Sequence, residues 1–116
     1  MSEHIEWGGG YSNTASNYYS TVGGGCGNCA SGYATAILGG YNNTASGYYS
    51  AVLGGCCNNT CNCNCTMIIG SNICANRNCA TFVNNLSIVN LPSSAAGLPQ
   101  GSLYYDSGTC AVKIVC

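Results

Sequence analysis

Eleven cysteines carry most of the chemistry this 116-residue chain can offer: Cys26, Cys29, Cys56, Cys57, Cys61, Cys63, Cys65, Cys74, Cys79, Cys110 and Cys116. That density belongs either to a disulfide framework or to thiolate metal binding. Five of them fall in the run "CCNNTCNCNC". A zinc site needs four converging ligands, and the single histidine, His4, is remote from the run, so such a site would be all-thiolate. Cys61, Cys63 and Cys65 alternate and would share one face of a strand, which makes local tetrahedral ligation awkward. All eleven are therefore disulfide candidates and no residue is assigned to a metal; metal binding and reduced thiols stand as alternatives. Cys65–Cys79 is the pair that spacing favours, with Cys57–Cys74 weaker. An odd count leaves at least one thiol free or bonded to another chain, and the last residue, Cys116, is the natural interchain candidate.

Catalysis finds little support. Cys26 and Cys29 form a C-x-x-C, but no βαβ pattern surrounds it. His4 and the acids Glu3, Glu6 and Asp106 sit at the chain ends, so nothing supplies a general base beside a nucleophile. Ser16, Ser31 and Ser46 recur in one repeat column, which marks scaffold. No catalytic residue and no cofactor-binding residue is singled out, no cofactor is expected, and the chain reads as non-enzymatic.

The elements that must position the cysteines come from an internal repeat. Units of 15 residues start at 9, 24, 39, 54 and 69, with a glycine pair opening the first four. The fifth column reads Asn13, Asn28, Asn43, Asn58, Ile73; the seventh reads Ala15, Ala30, Ala45, Thr60, Ala75. The fourteenth reads Val22, Ile37, Val52, Met67, Phe82, all large and apolar. A fixed period signals a repeat architecture, and 15 residues are too few for two helices. Gly-Gly and Asn-rich runs oppose helix, whereas "YSAVL" suits a strand. Each unit is thus one rung of an all-β solenoid, with rungs about 4.8 Å apart. The fourteenth column should be the core ladder. The alanines fit where opposing strands close tightly, and the asparagines can form an amide ladder. Tyr18, Tyr33 and Tyr48 share a column, with Tyr19 and Tyr49 beside it. They suit subunit packing, or a ladder for binding sugars. Sequons at Asn42, Asn58, Asn64 and Asn85 are of the kind that arises by chance in so Asn-rich a chain.

Residues 1–8 form an N-terminal segment, 9–89 the roll, and 90–116 a linker and C-terminal β-hairpin. Pro92, Gly97, Pro99 and Gly101 punctuate the linker, and "SLYY" and "CAVKIV" flank the turn "DSGT".

Charge is nearly absent. Glu3, Glu6, Arg77, Asp106 and Lys113 are the charged side chains, and none lies between Gly8 and Asn76. Low charge promotes association. It also argues against nucleic acid, whose binding depends on Lys and Arg. No apolar run approaches a membrane-spanning length, so no membrane insertion is expected. "MSEHIEWGGG" lacks the layout of a secretory signal peptide. Five narrow rungs bury too little apolar surface to stand alone, and trimerisation would supply the missing burial.

"GGYNNTASGYYSAVLGG" resembles the head repeats of trimeric autotransporter adhesins (YadA-like heads), and related repeats in fibre proteins of phages and large DNA viruses. The resemblance covers residues 9 to about 83. It implies a left-handed parallel β-roll that associates as a homotrimer, without catalytic residues. "LPSSAAGLPQGSLYYDSGTCAVKIV", residues 91–115, is similar to short endings of phage and virus structural proteins. The expectation is a disulfide-stabilised fibre, spike or filament subunit of a virion or extracellular surface assembly. The alternatives are an adhesive head, binding a host-surface glycan, and a Cys-rich metal-binding protein.

Overall fold

The computed structural model describes Glu6–Trp7 and residues 9–116; His4, and with it the relation of His4 to the cysteines, lies outside them. The chain divides into two compact units, one ending at Asn85 and one running from Leu86 to Cys116, so residues 86–89 group with the C-terminal unit rather than the repeats. The strands are β1 (Glu6–Trp7), β2 (Thr14–Ala15), β3 (Thr21–Val22), β4 (Cys29–Ala30), β5 (Ala36–Ile37), β6 (Thr44–Ala45), β7 (Ala51–Val52), β8 (Met67–Ile69), β9 (Thr81–Val83), β10 (Leu103–Asp106) and β11 (Ala111–Ile114). No helix occurs among the described residues.

The first unit is a β-solenoid. Its coils stack in parallel into a six-stranded sheet, β1-β3-β5-β7-β8-β9, and a three-stranded sheet, β2-β4-β6. Register follows the repeat: Val22 lies opposite Ile37, Ile37 opposite Val52, and Ala30 opposite Ala45. The backbone register also extends below the first repeat, with Trp7 opposite Val22. Val22, Ile37 and Val52 are fully buried and meet Ala30 and Ala45 from the other sheet. Alanine is what so narrow an interior admits opposite a branched side chain.

Two polar ladders close the corners. Asn28, Asn43 and Asn58 are buried, and each amide nitrogen donates to the side-chain oxygen of the asparagine one rung before it, at 3.2, 3.0 and 3.0 Å. The same nitrogen also reaches two glycine carbonyls; for Asn43 these are Gly39 and Gly55. The amide ladder read from the fifth column is therefore present, and Ile73 ends it by donating only its backbone N–H to Asn58. The other ladder, of buried Ser20, Thr35, Ser50 and Thr66, has each hydroxyl donating to a carbonyl three residues back. Among the described residues no buried side-chain polar atom lacks a partner, so the thin core carries no desolvation penalty of that kind.

The glycines have a steric reason. Gly40 has φ +101°, and a Cβ there would strike the Gly55 carbonyl and lie 2.7 Å from the Asn43 amide nitrogen. Glycine at this corner lets the chain turn and lets the amide approach.

The fourth rung corrects the core ladder. Met67 is exposed; Ile68 is the buried residue, opposite Val52 below and Phe82 above. The steps are 16 residues up to Ile68 and 14 on to Phe82. Cys61 and Asn62, both at positive φ (51° and 61°), take the place that Ser46 fills alone in the rung below. One residue is lost in compensation after β8, where Gly70 by itself stacks on Gly55. Ile69 consequently stands in the column of Leu38 and Leu53, not in a glycine column. A strand must present alternate residues inward, so a one-residue insertion carries Ile68 into the core and Met67 out.

The second unit contains the expected hairpin: β10 and β11 pair antiparallel, from Leu103 opposite Ile114 to Asp106 opposite Ala111.

Candidate functional site

Three features of the solenoid surface stand out, and none is a pocket. The first lies along the turn after β2, β4 and β6. Tyr18, Tyr19, Tyr33, Tyr48 and Tyr49 form a continuous aromatic cluster with ring centroids 5.6–6.4 Å apart, several edge to face. Four of them are about half exposed, and Tyr33 is sheltered between its neighbours. The rung spacing brings them together, because equivalent turns stack directly. Tyr19 and Tyr49 hold positive φ, 59° and 57°. The cluster presents ring faces and hydroxyls and no formal charge.

The second is the outer face of the six-stranded sheet. Its outward column reads Gly23, Leu38, Leu53, Ile69 and Val83, and the neighbouring column includes Ala36, Ala51 and Met67. Leu38 is 62% exposed, Leu53 and Ile69 46% each, and Met67 and Val83 38% each. The apolar stripe thus runs from Leu38 to Val83, with each of these five side chains exposed.

The third is the cysteine-rich end. Cys61 is bonded to Cys74, with Cα atoms 6.3 Å apart, and Cys56 to its neighbour Cys57. The Cys61–Cys74 bond ties the inserted residues of the fourth rung to the fifth. Neither Cys57 nor Cys74 takes the other as partner: Cys57 turns through φ 65° next to Cys56, while the insertion brings Cys61 over Cys74. Cys65 and Cys79 are brought together, on successive left-handed corners (φ 56° each), but both are thiols. The Cys65 thiol is pushed up from its ordinary value by loss of solvent, then by the charge of Cys79 and a hydrogen bond with it. Cys26, Cys29, Cys63, Cys110 and Cys116 are also free thiols. Cys26 sits on an isolated bridge between Tyr11 and Tyr41, whereas Cys29 is in β4, so the C-x-x-C is not closed. Among the described residues no three His, Cys, Asp or Glu side chains are grouped to hold a metal ion.

The charged side chains of the C-terminal unit meet each other. Lys113 donates to Asp106 at 2.6 Å. The contact lowers the Asp106 carboxyl, helped by the Gly108 N–H, and raises the Lys113 ammonium. Tyr105 is raised first by a hydrogen bond with Cys110, then by loss of solvent and the charge of Asp106.

Of the glycosylation sequons, Asn58 is buried in the amide ladder and cannot accept a glycan without losing it. The serine-threonine ladder, by contrast, has no clear signal in the repeat columns, because its residue types are common at surfaces and Thr66 stands one position out of the column of Ser20, Thr35 and Ser50. Compared with protein-family models, with curated proteins and with solved structures, the chain has no match.

Proposed function

We propose that this chain is a structural subunit of a homo-oligomer, a β-roll that trimerises into a fibre, spike or filament of a virion or another extracellular surface assembly. The observation that carries this reading is the uncovered apolar outer face of the six-stranded sheet, from Leu38 through Leu53 and Ile69 to Val83. Parallel sheets are ordinarily covered on both faces. Here one face packs on the solenoid interior, and the other supplies a stripe that a second copy can cover. The scarcity of charge supports the same reading, since few like charges oppose association. The resemblance of the repeats to trimeric adhesin heads and viral fibre repeats supplies the trimer and the virion setting. Sedimentation equilibrium of the parent and of Leu53→Glu tests the interface: the parent sediments as a trimer, and the variant stays folded but associates more weakly. A parent that stays monomeric up to high concentration would end this reading.

The tyrosine cluster favours a second role for the same scaffold, an adhesive head. Exposed rings with hydroxyls and no charge suit a neutral glycan. Binding of a glycan array by the parent, and its loss in Tyr33→Ala, would support that role; a blank array would remove it.

A further inference from the structure

The C-terminal hairpin is inverted. Its pleat sorts side chains onto two faces. One carries Tyr104, Asp106, Ala111 and Lys113, all partly shielded, with the ion pair among them. The other carries Leu103 opposite Ile114 and Tyr105 opposite Val112, and all four are exposed. Leu86, Ile88, Val89 and Leu91 extend the apolar side, lining with Tyr105 and Val112 an open cleft of about 380 Å³. None of the described residues 86–116 is buried. A unit this short, built on one two-stranded hairpin, cannot hold its shape without covering apolar surface somewhere.

We infer that this face is an interaction surface for the same unit of a second copy of the chain, so that C-terminal units clasp one another about the oligomer axis. Area and charge both point to that occupant. Leu86, Ile88, Val89, Tyr105, Val112 and Ile114 are between 38% and 86% exposed. Side chains of these sizes offer together about 700 Å² per copy, near the roughly 800 Å² that each partner gives to a stable interface. The face bears no charged side chain, and the unit's two charges, Asp106 and Lys113, neutralise each other on the opposite face. A partner recognised by charge would find nothing to pair with. Copies related by the oligomer axis each bring the same uncharged patch to it, which sets apolar against apolar. The clasp rests on the homo-oligomer reading but uses different residues from the sheet stripe.

The test is hydrogen exchange on the full chain at concentrations spanning its association, for the parent, Val112→Asp and Leu53→Asp. In the parent, amides of residues 103–114 gain protection as concentration rises. In Val112→Asp that gain disappears and association weakens about 100-fold, as for an interface hot spot, while the roll amides keep their protection. In Leu53→Asp the concentration-dependent protection of residues 103–114 persists. Hairpin protection that ignores concentration in the parent, or unchanged association of Val112→Asp, would overturn the clasp and leave assembly through the roll standing. Absence of any association by the parent would overturn both. Thr109→Asp, in the turn, serves as a control for charge alone and associates like the parent.

Discussion

Replacing Asn43 probes the amide ladder where it is most enclosed. Asn43 is fully buried; its nitrogen donates to Asn28 Oδ1 and to the carbonyls of Gly39 and Gly55, and its oxygen accepts the backbone N–H and the side-chain amide of Asn58. Asn43→Ala leaves the Asn58 N–H and the Gly39 carbonyl without their partners. At roughly 1–3 kcal/mol for each such group, the loss is about 2–6 kcal/mol. Asn43→Asp keeps the shape and yet should be worse. The new oxygen replaces a donor and faces three acceptors, so a buried charge stands uncompensated at a cost of about 4 kcal/mol or more at neutral pH. Its folded-state pKa must then lie above the usual value of about 4. The sign follows: the penalty is small below that value and grows as pH rises through the folded pKa. Urea denaturation of the parent and both variants at pH 7 and at pH 4 reads these differences. An Asp variant as stable as the parent at pH 7, or more stable than the Ala variant there, would refute the ladder as drawn.

Ile68→Asp should unfold the roll, because it places a charge in the core, whereas Met67→Asp should leave the roll folded; equal thermal midpoints would cancel the shifted register. Cys61→Ser with Cys74→Ser should lower stability by about 3 kcal/mol, the scale for closing a loop of that length, with the fourth and fifth rungs losing amide protection first; no change in exchange would count against the bond as a brace. Because Lys113 lowers the Asp106 carboxyl, that pair supports the hairpin above the ordinary carboxyl pKa of about 4 and ceases to as pH falls through the lower folded value. Titration by NMR should show this, and Lys113→Met should move the Asp106 midpoint upward; an unmoved midpoint would contradict the pair.

The period made most of the fold legible. Val22, Ile37 and Val52 mark an interior, and Asn13 to Asn58 mark a ladder, because a solenoid converts sequence spacing directly into stacking. The fourth rung escaped the same logic. Its two changes of length, at Cys61-Asn62 and after Ile69, cancel over two rungs, so the column count stays in phase at Phe82 while Met67 is displaced. A check on strand alternation, with Ile68 flanked by Met67 and Ile69, was the signal available. Cysteine partners could not be read from columns, because the insertion that pairs Cys61 with Cys74 also leaves Cys65 beside Cys79. The outward apolar face of the hairpin was visible as alternation in "LYYD" and "AVKI", but which face points outward is decided by tertiary packing.

The assembly proposed for the roll is a homotrimer. Sedimentation equilibrium of the full chain, under oxidising and reducing conditions, tests it most directly. A homotrimer sediments at three times the 11.8 kDa chain mass in both conditions. A single 11.8 kDa species at every concentration would contradict it.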